Sequence, residues 1–230
     1  MLPACRAAPS CRTLNRLNDF DFAALFIALL VILFSLTVHE AAHAWTAERL
    51  GDQTARRLGR VSLNPLVHID PIGTVVLPIV AFSTGAPIIG WAKPVPVDLR
   101  NLPHWKRDFM VIAAAGPASN LVLAVLAAVG LRIAGGGTFG LAGIEVGEPV
   151  VRLLFVGLQL NLLLALFNLI PVPPLDGGNI VGGLLRGAWA ERFDAIRPYG
   201  IFVLYALLLT GTLSAIIGPP YVFLARWLIS

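Results

Sequence analysis

The chain has 230 residues, of which 57% are hydrophobic and 13% are charged, and its mean hydropathy is +0.80. This composition excludes an ordinary soluble domain, and it predicts an integral membrane protein because several apolar runs are long enough to cross about 30 Å of hydrocarbon. The formal net charge of +4 does not indicate nucleic-acid binding, since the lysines and arginines lie mainly between the apolar runs, as they do in cytoplasmic loops.

The N-terminal tail, residues 1–18, holds both cysteines, Cys5 and Cys11. Two thiols ahead of every apolar run make neither a disulfide framework nor part of a metal centre in the core. The arginines of the tail followed by an apolar run also resemble a signal peptide, with a small-x-small cleavage pattern at Ala42-His43-Ala44. Cleavage there would destroy the motif described next, so we predict an uncleaved first transmembrane helix.

The first apolar run, within 22–47, contains His39-Glu40-Ala41-Ala42-His43. Residues four apart share a helix face, so His39 and His43 can present ring nitrogens to one metal ion with Glu40 beside them as a general base. Three ionisable side chains in a membrane are costly unless a partner such as a divalent cation neutralises them. The alternative is that both histidines line a polar bundle interior. Gly51 is the predicted stop of this helix.

The second apolar run, 72–91, is interrupted by prolines and glycines, and the alternating prolines of 91–97 predict extended chain after it. Basic residues flank the run on both sides, which places both flanks in the cytoplasm and is impossible for a single crossing. We therefore predict a re-entrant hairpin buried among protein. His104 and Trp105, which follow it, are expected at the membrane interface.

Three further apolar runs lie at 109–133, 149–170 and 197–217, and a short Pro-started segment at 219–229. The stretch 134–149 has no lysine or arginine and is predicted to lie outside, so the runs 22–47 and 149–170 cross in the same direction and end on the cytoplasmic side. The arginines of the N-terminal tail would then lie outside, against the positive-inside rule.

Two histidines leave a catalytic zinc site short of one protein ligand, because such sites typically have three. Asp176 follows the run 149–170, after a proline-rich stretch that unwinds the helix and directly before Gly177-Gly178. Non-helical backbone at membrane depth is tolerated where it lines a cavity or is buried in protein. Asp176 is therefore the predicted third ligand. The alternative is an ordinary solvated Asp-Gly turn.

Three motifs in this order resemble the core helices of the site-2 protease family of intramembrane zinc metalloproteases: His39-Glu40-Ala41-Ala42-His43, Gly116-Pro117-Ala118-Ser119-Asn120, and Asn168-x-x-Pro171 followed by Leu175-Asp176-Gly177. The resemblance covers roughly residues 22–186. The stretches 63–73 and 90–97 further resemble the short prokaryotic members of the family, which consist of little more than the catalytic core.

The resemblance implies one zinc ion per chain, held by His39, His43 and Asp176, with Glu40 as the catalytic base. It also implies that Asn168 and Asn120 contact the substrate backbone or stabilise the oxyanion. For these asparagines the alternative is interhelical hydrogen bonding in an apolar bundle. The stretch 90–97 resembles the family's re-entrant β element, which would pair with an unwound substrate segment. His68 and Asp70 could be a second ligand pair or, as we favour, could orient the loop or the ligands.

The sequence as a whole predicts an all-α polytopic membrane protein, with a bundle of about five to six transmembrane helices and a re-entrant hairpin or extended element between the first and the central core helix. We expect three parts: the N-terminal tail at 1–18, the metalloprotease core at 19–217 and a short hydrophobic C-terminal segment at 218–230.

The predicted function is zinc-dependent cleavage of transmembrane protein substrates in the cell membrane, near its cytoplasmic side, without any nucleic-acid partner. One alternative is a zinc-binding membrane protein without proteolytic activity, such as a metal transporter or an inactive homologue. A transporter would favour ionisable residues along several spans, and the spans hold few besides the motif. Another alternative is a membrane metalloprotease that acts on soluble tails or prenylated peptides.

Overall fold

The computed structural model describes residues 22–84, 92–135 and 147–230, and these residues form α-helices and connecting turns with no β-strand among them. The tail with its two cysteines, the predicted hairpin tip around 85–91 and most of the predicted outer loop lie outside the described residues. The expectations placed on those stretches stay predictions.

Helix α1 spans Phe22–Arg49 and carries the histidine motif near its C-terminal end. Its 28 residues are apolar enough to cross a membrane. The predicted stop is confirmed, because Gly51 adopts a φ of +114°, a conformation that glycine adopts without steric cost. The short helix α2, Thr54–Arg57, and a 3-10 turn, Pro65–Val67, lead away from it.

The second apolar run forms a six-residue π-helical turn, Pro71–Val76, which continues into the eight-residue helix α3, Leu77–Thr84. At 1.5 Å per residue the two are together about 21 Å long, which is too short to cross a hydrocarbon layer of about 30 Å. Residues 92–98 then return without helical structure. This geometry fits the predicted re-entrant hairpin, and the predicted pairing of 90–97 with a substrate strand stays a prediction.

Helix α4, Trp105–Gly135, is the centre of the bundle and packs against α1 and α5, the latter spanning Glu148–Asn168. Its contact faces are rich in buried alanines, including Ala113, Ala124 and Ala128. Small residues let helix backbones approach closely in a membrane, where helices associate by packing and interhelical hydrogen bonds. Close approach of α4 to its neighbours shapes the site described below.

Four shorter or later helices complete the described chain: α6 (Asp176–Leu184), α7 (Ala188–Ile196), α8 (Gly200–Leu209) and α9 (Thr212–Ile229). The predicted division into a run at 197–217 and a segment starting at Pro219 was wrong. The chain breaks at Gly211, which has a φ of +73°, and Pro219 and Pro220 lie inside α9. Burial of apolar side chains of α9 against the bundle, Leu213, Ile217 and Leu228, outweighs the cost of the prolines.

Four helices of the described ranges are long and apolar enough to cross a membrane: α1, α4, α5 and α9. The predicted all-α polytopic class is confirmed. The predicted count of five to six spans exceeds these four because Gly211 divides the run at 197–217, which leaves the ten-residue helix α8 too short to cross.

Candidate metal centre

Three side chains from two distant parts of the sequence meet inside the bundle: His39 and His43 on α1, and Asp176 at the start of α6. The Nε2 atoms of the two histidines are 3.0 Å apart. The Oδ2 atom of Asp176 lies 3.2 Å from Nε2 of His39 and 3.4 Å from Nε2 of His43. The predicted trio is therefore brought together, with both imidazoles buried.

The hydrogen bond of His43 fixes which of its ring nitrogens carries the proton. Its Nδ1 lies 2.7 Å from the backbone oxygen of Ile112 on α4. A carbonyl oxygen can only accept, so Nδ1 must donate, and in the neutral ring Nε2 then presents a lone pair. That lone pair points towards His39 and Asp176.

A chain of amides fixes His39 in the same way. The Nδ2 of Asn161 donates to the backbone oxygen of Gly157 at 2.8 Å, so the Oδ1 of Asn161 accepts from Nδ2 of Asn120 at 2.9 Å. The Oδ1 of Asn120 must then face Nδ1 of His39, at 2.6 Å, and accept a hydrogen bond from its N–H group. Nε2 of His39 therefore also presents a lone pair.

Three electron-pair donors thus converge with no hydrogen atom between them. Such an arrangement is unfavourable unless a cation lies among them. The Oδ2 atom of Asp176 is buried and has no hydrogen-bond partner among the described residues, which fits a metal ligand. Two imidazole nitrogens and one carboxylate oxygen are a typical set of protein ligands for a catalytic zinc ion. The residues present therefore fit zinc.

Glycines let the backbone approach the site at two places. A Cβ atom at Gly116 of α4 would lie 2.4 Å from Nε2 of His43 and 2.5 Å from Cε1 of His39. A Cβ at Gly177 would lie 2.3 Å from the backbone oxygen of Leu169. No side chain fits at either position, so the Gly-Pro-Ala-Ser-Asn and Leu-Asp-Gly motifs carry glycine for steric reasons.

Glu40 is half-buried beside the ligands and does not belong to the metal group. One of its carboxylate oxygens, Oε2, accepts a hydrogen bond from the backbone N–H of Val95 at 3.1 Å. The segment 92–98 therefore lies directly against the His-Glu-x-x-His motif of α1. The sequence placed this segment near a substrate but did not predict its bond to Glu40.

Of the two asparagines predicted to contact the substrate, Asn120 is fully buried, with an exposed fraction of 0%, and it supports the ring of His39. Such a placement fits the alternative, interhelical hydrogen bonding, and leaves no surface for a substrate. Asn168 is half-buried at the end of α5, where its Nδ2 donates to the backbone oxygen of Leu164 at 2.9 Å. Its substrate contact stays a prediction.

Asn161 was missed by sequence reasoning, although it completes the amide chain behind His39. It belongs to no motif, and its neighbours on α5 are all apolar apart from Gln159. The available signal was a strongly polar side chain within an apolar span, which is rarely retained without a partner.

His68 and Asp70 hold the loop that precedes the hairpin and are not members of the metal group. His68 is buried, and its Nε2 donates to the backbone oxygen of Ser62 at 2.9 Å. Asp70 accepts from the backbone N–H groups of Ile72 and Gly73 at 3.0 and 2.8 Å. These contacts favour the loop-orienting interpretation over a second ligand pair.

Replacement of Asn120 by alanine is expected to weaken zinc binding about 10- to 100-fold, the usual cost of losing an outer partner of a metal-binding histidine. The change frees the ring of His39 to rotate and leaves Asn161 without its donor. Competition with a chelator measures the affinity. Asn168→Ala is the matched control, since its amide bonds within α5, and equal zinc affinity in the two variants would contradict the role of Asn120.

A His-Glu-x-x-His motif and a distant aspartate, enclosed by helices that are apolar enough to span a membrane, form a candidate metal centre of the zinc hydrolase type. Comparison with known proteins agrees with this class. The model of "Peptidase family M50" matches residues 136–211. A Bacillus subtilis protein named "Putative zinc metalloprotease YwhC" is 35% identical over 207 residues, which cover 90% of each chain.

Two mycobacterial proteins are also similar. "Putative zinc metalloprotease Rip2" of Mycolicibacterium smegmatis is 29% identical over 87% of this chain and 73% of its own length. "Putative zinc metalloprotease Rip3" of Mycobacterium tuberculosis is 31% identical over 73% of this chain and 32% of its own length. No solved structure matches the chain significantly. The chain belongs to peptidase family M50, the site-2 protease family of zinc metalloproteases.

Proposed function

We propose that this protein is a zinc-dependent intramembrane endopeptidase, which hydrolyses peptide bonds in or near transmembrane segments of other membrane proteins. The observation that carries the proposal is the convergence of His39, His43 and Asp176 beside Glu40, on and against a helix that is apolar enough to span a membrane. The transmembrane protein substrates and the lipid bilayer are the partners that this function requires.

In this proposal His39, His43 and Asp176 are the zinc ligands. The ion supplies Lewis acidity, which lowers the pKa of a water molecule and polarises the scissile carbonyl group. The protein contributes the orientation of its ligands. Asn120 and the backbone oxygen of Ile112 hold the two imidazole rings with their Nε2 atoms inward.

Glu40 is the proposed general base. Its carboxylate accepts a proton from the attacking water and then donates that proton to the nitrogen of the leaving group. The peptide C–N bond therefore breaks with release of a neutral amine and not of an amide anion. The placement of Glu40 on α1 supports this role, because Glu40 lies three residues before His43 and side chains three positions apart are neighbours on a helix surface.

We further propose that Asn168 contacts the backbone of the substrate. It ends α5, eight positions before Asp176, and its side chain is half-buried rather than enclosed. Among the described residues only its Nδ2 group is hydrogen-bonded, to the backbone of α5, so the amide oxygen can accept a hydrogen bond. Asn120 acts on the ligands and not on the substrate.

We propose the cell membrane as the location, with the site towards the cytoplasm. Three tryptophans lie against cations: Trp45 with Arg49 at 4.9 Å, Trp105 with Lys106 at 5.3 Å, and Trp189 with Arg192 at 5.4 Å. Tryptophan favours the membrane interface, and basic residues favour its cytoplasmic side. Trp45 follows His43 by two residues, so the site lies close to this interface.

The proposed function is tested by Glu40→Gln, which removes the base and keeps the three ligands. The variant is expected to retain zinc and to lose proteolysis by about 10²- to 10⁴-fold, the usual contribution of general base catalysis. Quantitative proteomics of membrane-protein fragments, in cells that carry either the wild-type chain or the variant, measures proteolysis and identifies the substrates.

The matched control is Glu191→Gln on the exposed face of α7, which is expected to give the wild-type fragment pattern. Unchanged fragments in Glu40→Gln would refute the base. Zinc flux into proteoliposomes that persists in this variant, without any fragments from the wild-type chain, would instead favour a metal transporter.

A further inference from the structure

The non-helical segment 92–98 is fixed to the rest of the protein by three of its backbone N–H groups. Lys93 donates to the backbone oxygen of His68 at 2.9 Å, and Asp98 donates to Oδ2 of Asp52 at 2.8 Å. Between these two attachments, Val95 donates to Oε2 of Glu40 at 3.1 Å. The middle of a segment held at both ends therefore meets the proposed base.

Among residues 94–96, Val95 alone can donate a backbone hydrogen bond, because its two neighbours, Pro94 and Pro96, lack a backbone N–H group. A proline also restricts the residue before it to extended conformations, which applies here to Lys93 and to Val95. The direction of the Val95 N–H is thus set by stiff backbone, and its only acceptor in the described chain is Glu40.

The attachment at Asp98 depends on a fully buried carboxylate. Asp52 lies three residues after the end of α1 and accepts four hydrogen bonds: from Thr54 N at 3.0 Å, Thr54 Oγ1 at 2.5 Å, Asn101 Nδ2 at 2.8 Å and Asp98 N at 2.8 Å. Burial raises the pKa of Asp52, but these hydrogen bonds outweigh it and hold the pKa below its ordinary value. The group is therefore an anion at neutral pH and connects the end of α1 to the end of the segment.

We infer that the backbone N–H of Val95 positions the carboxylate of Glu40 for catalysis, and that Asp52 is a positioning residue that holds the segment 92–98 in the register which this bond requires. The inference rests on the proposed role of Glu40 as the base. A glutamate side chain has several rotatable bonds, and the N–H occupies one of its oxygens, so that the other is presented in a fixed direction. Helix α1 then carries the proposed base, and Asp52, just after its end, holds the segment that donates to this base.

The test compares Val95→Pro, which deletes the N–H, with Val95→Ala, which shortens the side chain and keeps the N–H. Both are assayed as purified zinc-loaded protein with a transmembrane substrate identified by the proteomic experiment. Relative to Val95→Ala, Val95→Pro is expected to lower kcat about 10- to 100-fold, since misplacement of a catalytic group by about 1 Å can cost that much. KM and zinc content are expected to match those of Val95→Ala.

Asp52→Asn supplies a second, independent test. It removes the negative charge of the carboxylate that accepts the hydrogen bond from Asp98 N–H, so kcat is expected to fall. The double variant with Val95→Pro is expected to have a kcat only a little lower, because both changes act through the bond between Val95 and Glu40. A merely structural role of Asp52 would give effects that multiply. Asp194→Asn, on the exposed helix α7, is the control for loss of a carboxylate charge.

Equal kcat in Val95→Pro and Val95→Ala would overturn the inference, and so would multiplying effects in the double variant. A raised KM with unchanged kcat would also overturn it, and would show that the segment docks substrate without acting on the base. Should Val95→Pro fail to bind zinc, the comparison of Asp52→Asn with Asp194→Asn decides. Full activity of Glu40→Gln would instead remove the proposed function on which the inference rests.

Discussion

Gly116→Ala is expected to abolish tight zinc binding and, with it, proteolysis. The added Cβ would lie 2.4 Å from Nε2 of His43, an atom proposed to ligate the metal, and 2.5 Å from Cε1 of His39. Neither ring can withdraw without breaking its bond to Asn120 or to the backbone of Ile112. Either α4 moves away or both imidazoles turn, and both outcomes disperse the ligands. We expect zinc affinity to fall by more than about 100-fold, the upper range for loss of an outer partner.

The matched control is Gly218→Ala in α9, where an added Cβ would meet nothing within 4 Å. Both variants place alanine in an apolar helix, so expression level and helix content should be alike. Zinc content after purification and chelator competition report the difference. A Gly116→Ala protein that keeps wild-type zinc affinity would show that α4 does not lie as close to the histidines as described.

Asp176→Asn is expected to have an effect of similar size for a different reason. It preserves the shape of the side chain and removes the negative charge, while a neutral amide is a much weaker zinc ligand than a carboxylate. It also places an N–H₂ group or a neutral oxygen opposite two imidazole lone pairs. Zinc binding is expected to weaken by more than the roughly 10- to 100-fold caused by loss of an outer partner.

Zinc titration of the metal-depleted protein measures this loss, and proteolysis should fall with it. The control, Asp194→Asn, removes the same charge from an exposed position next to Arg197. If Asp176→Asn bound zinc as tightly as this control, the aspartate would not be a ligand, and the alternative of a solvated turn would gain support.

The residues of the metal group could be predicted because each part of the site has a local signal. The histidine motif needs only a helix to bring two rings together, and the membrane makes helix the expected structure of an apolar run. Asp176 required a further step, since its partners lie on another helix. Loop charges supplied it, because they imply that the runs 22–47 and 149–170 end on the same side.

Other features depend on tertiary contacts that leave no local signal. The break at Gly211 rather than at Pro219 depends on how well α9 packs against the bundle. The orientation of the Asn120 amide towards His39 depends on its hydrogen bond with Asn161, which lies on a helix later in the chain. The bond between Val95 and Glu40 depends on where the chain returns after the hairpin. A sequence lists donors and acceptors, but only the packed bundle determines which of them meet.

The long separation between the two halves of the metal group has a consequence for assembly. Four of the nine α-helices of the described residues, α2 to α5, lie between His43 and Asp176 in the chain, so an ion held by both, as proposed, would be a removable cross-link between distant parts of the sequence. An ion that binds the folded form and not the unfolded chain stabilises the folded form by mass action. The zinc supply of the cell would then set the stability of the folded protein as well as its proteolytic activity.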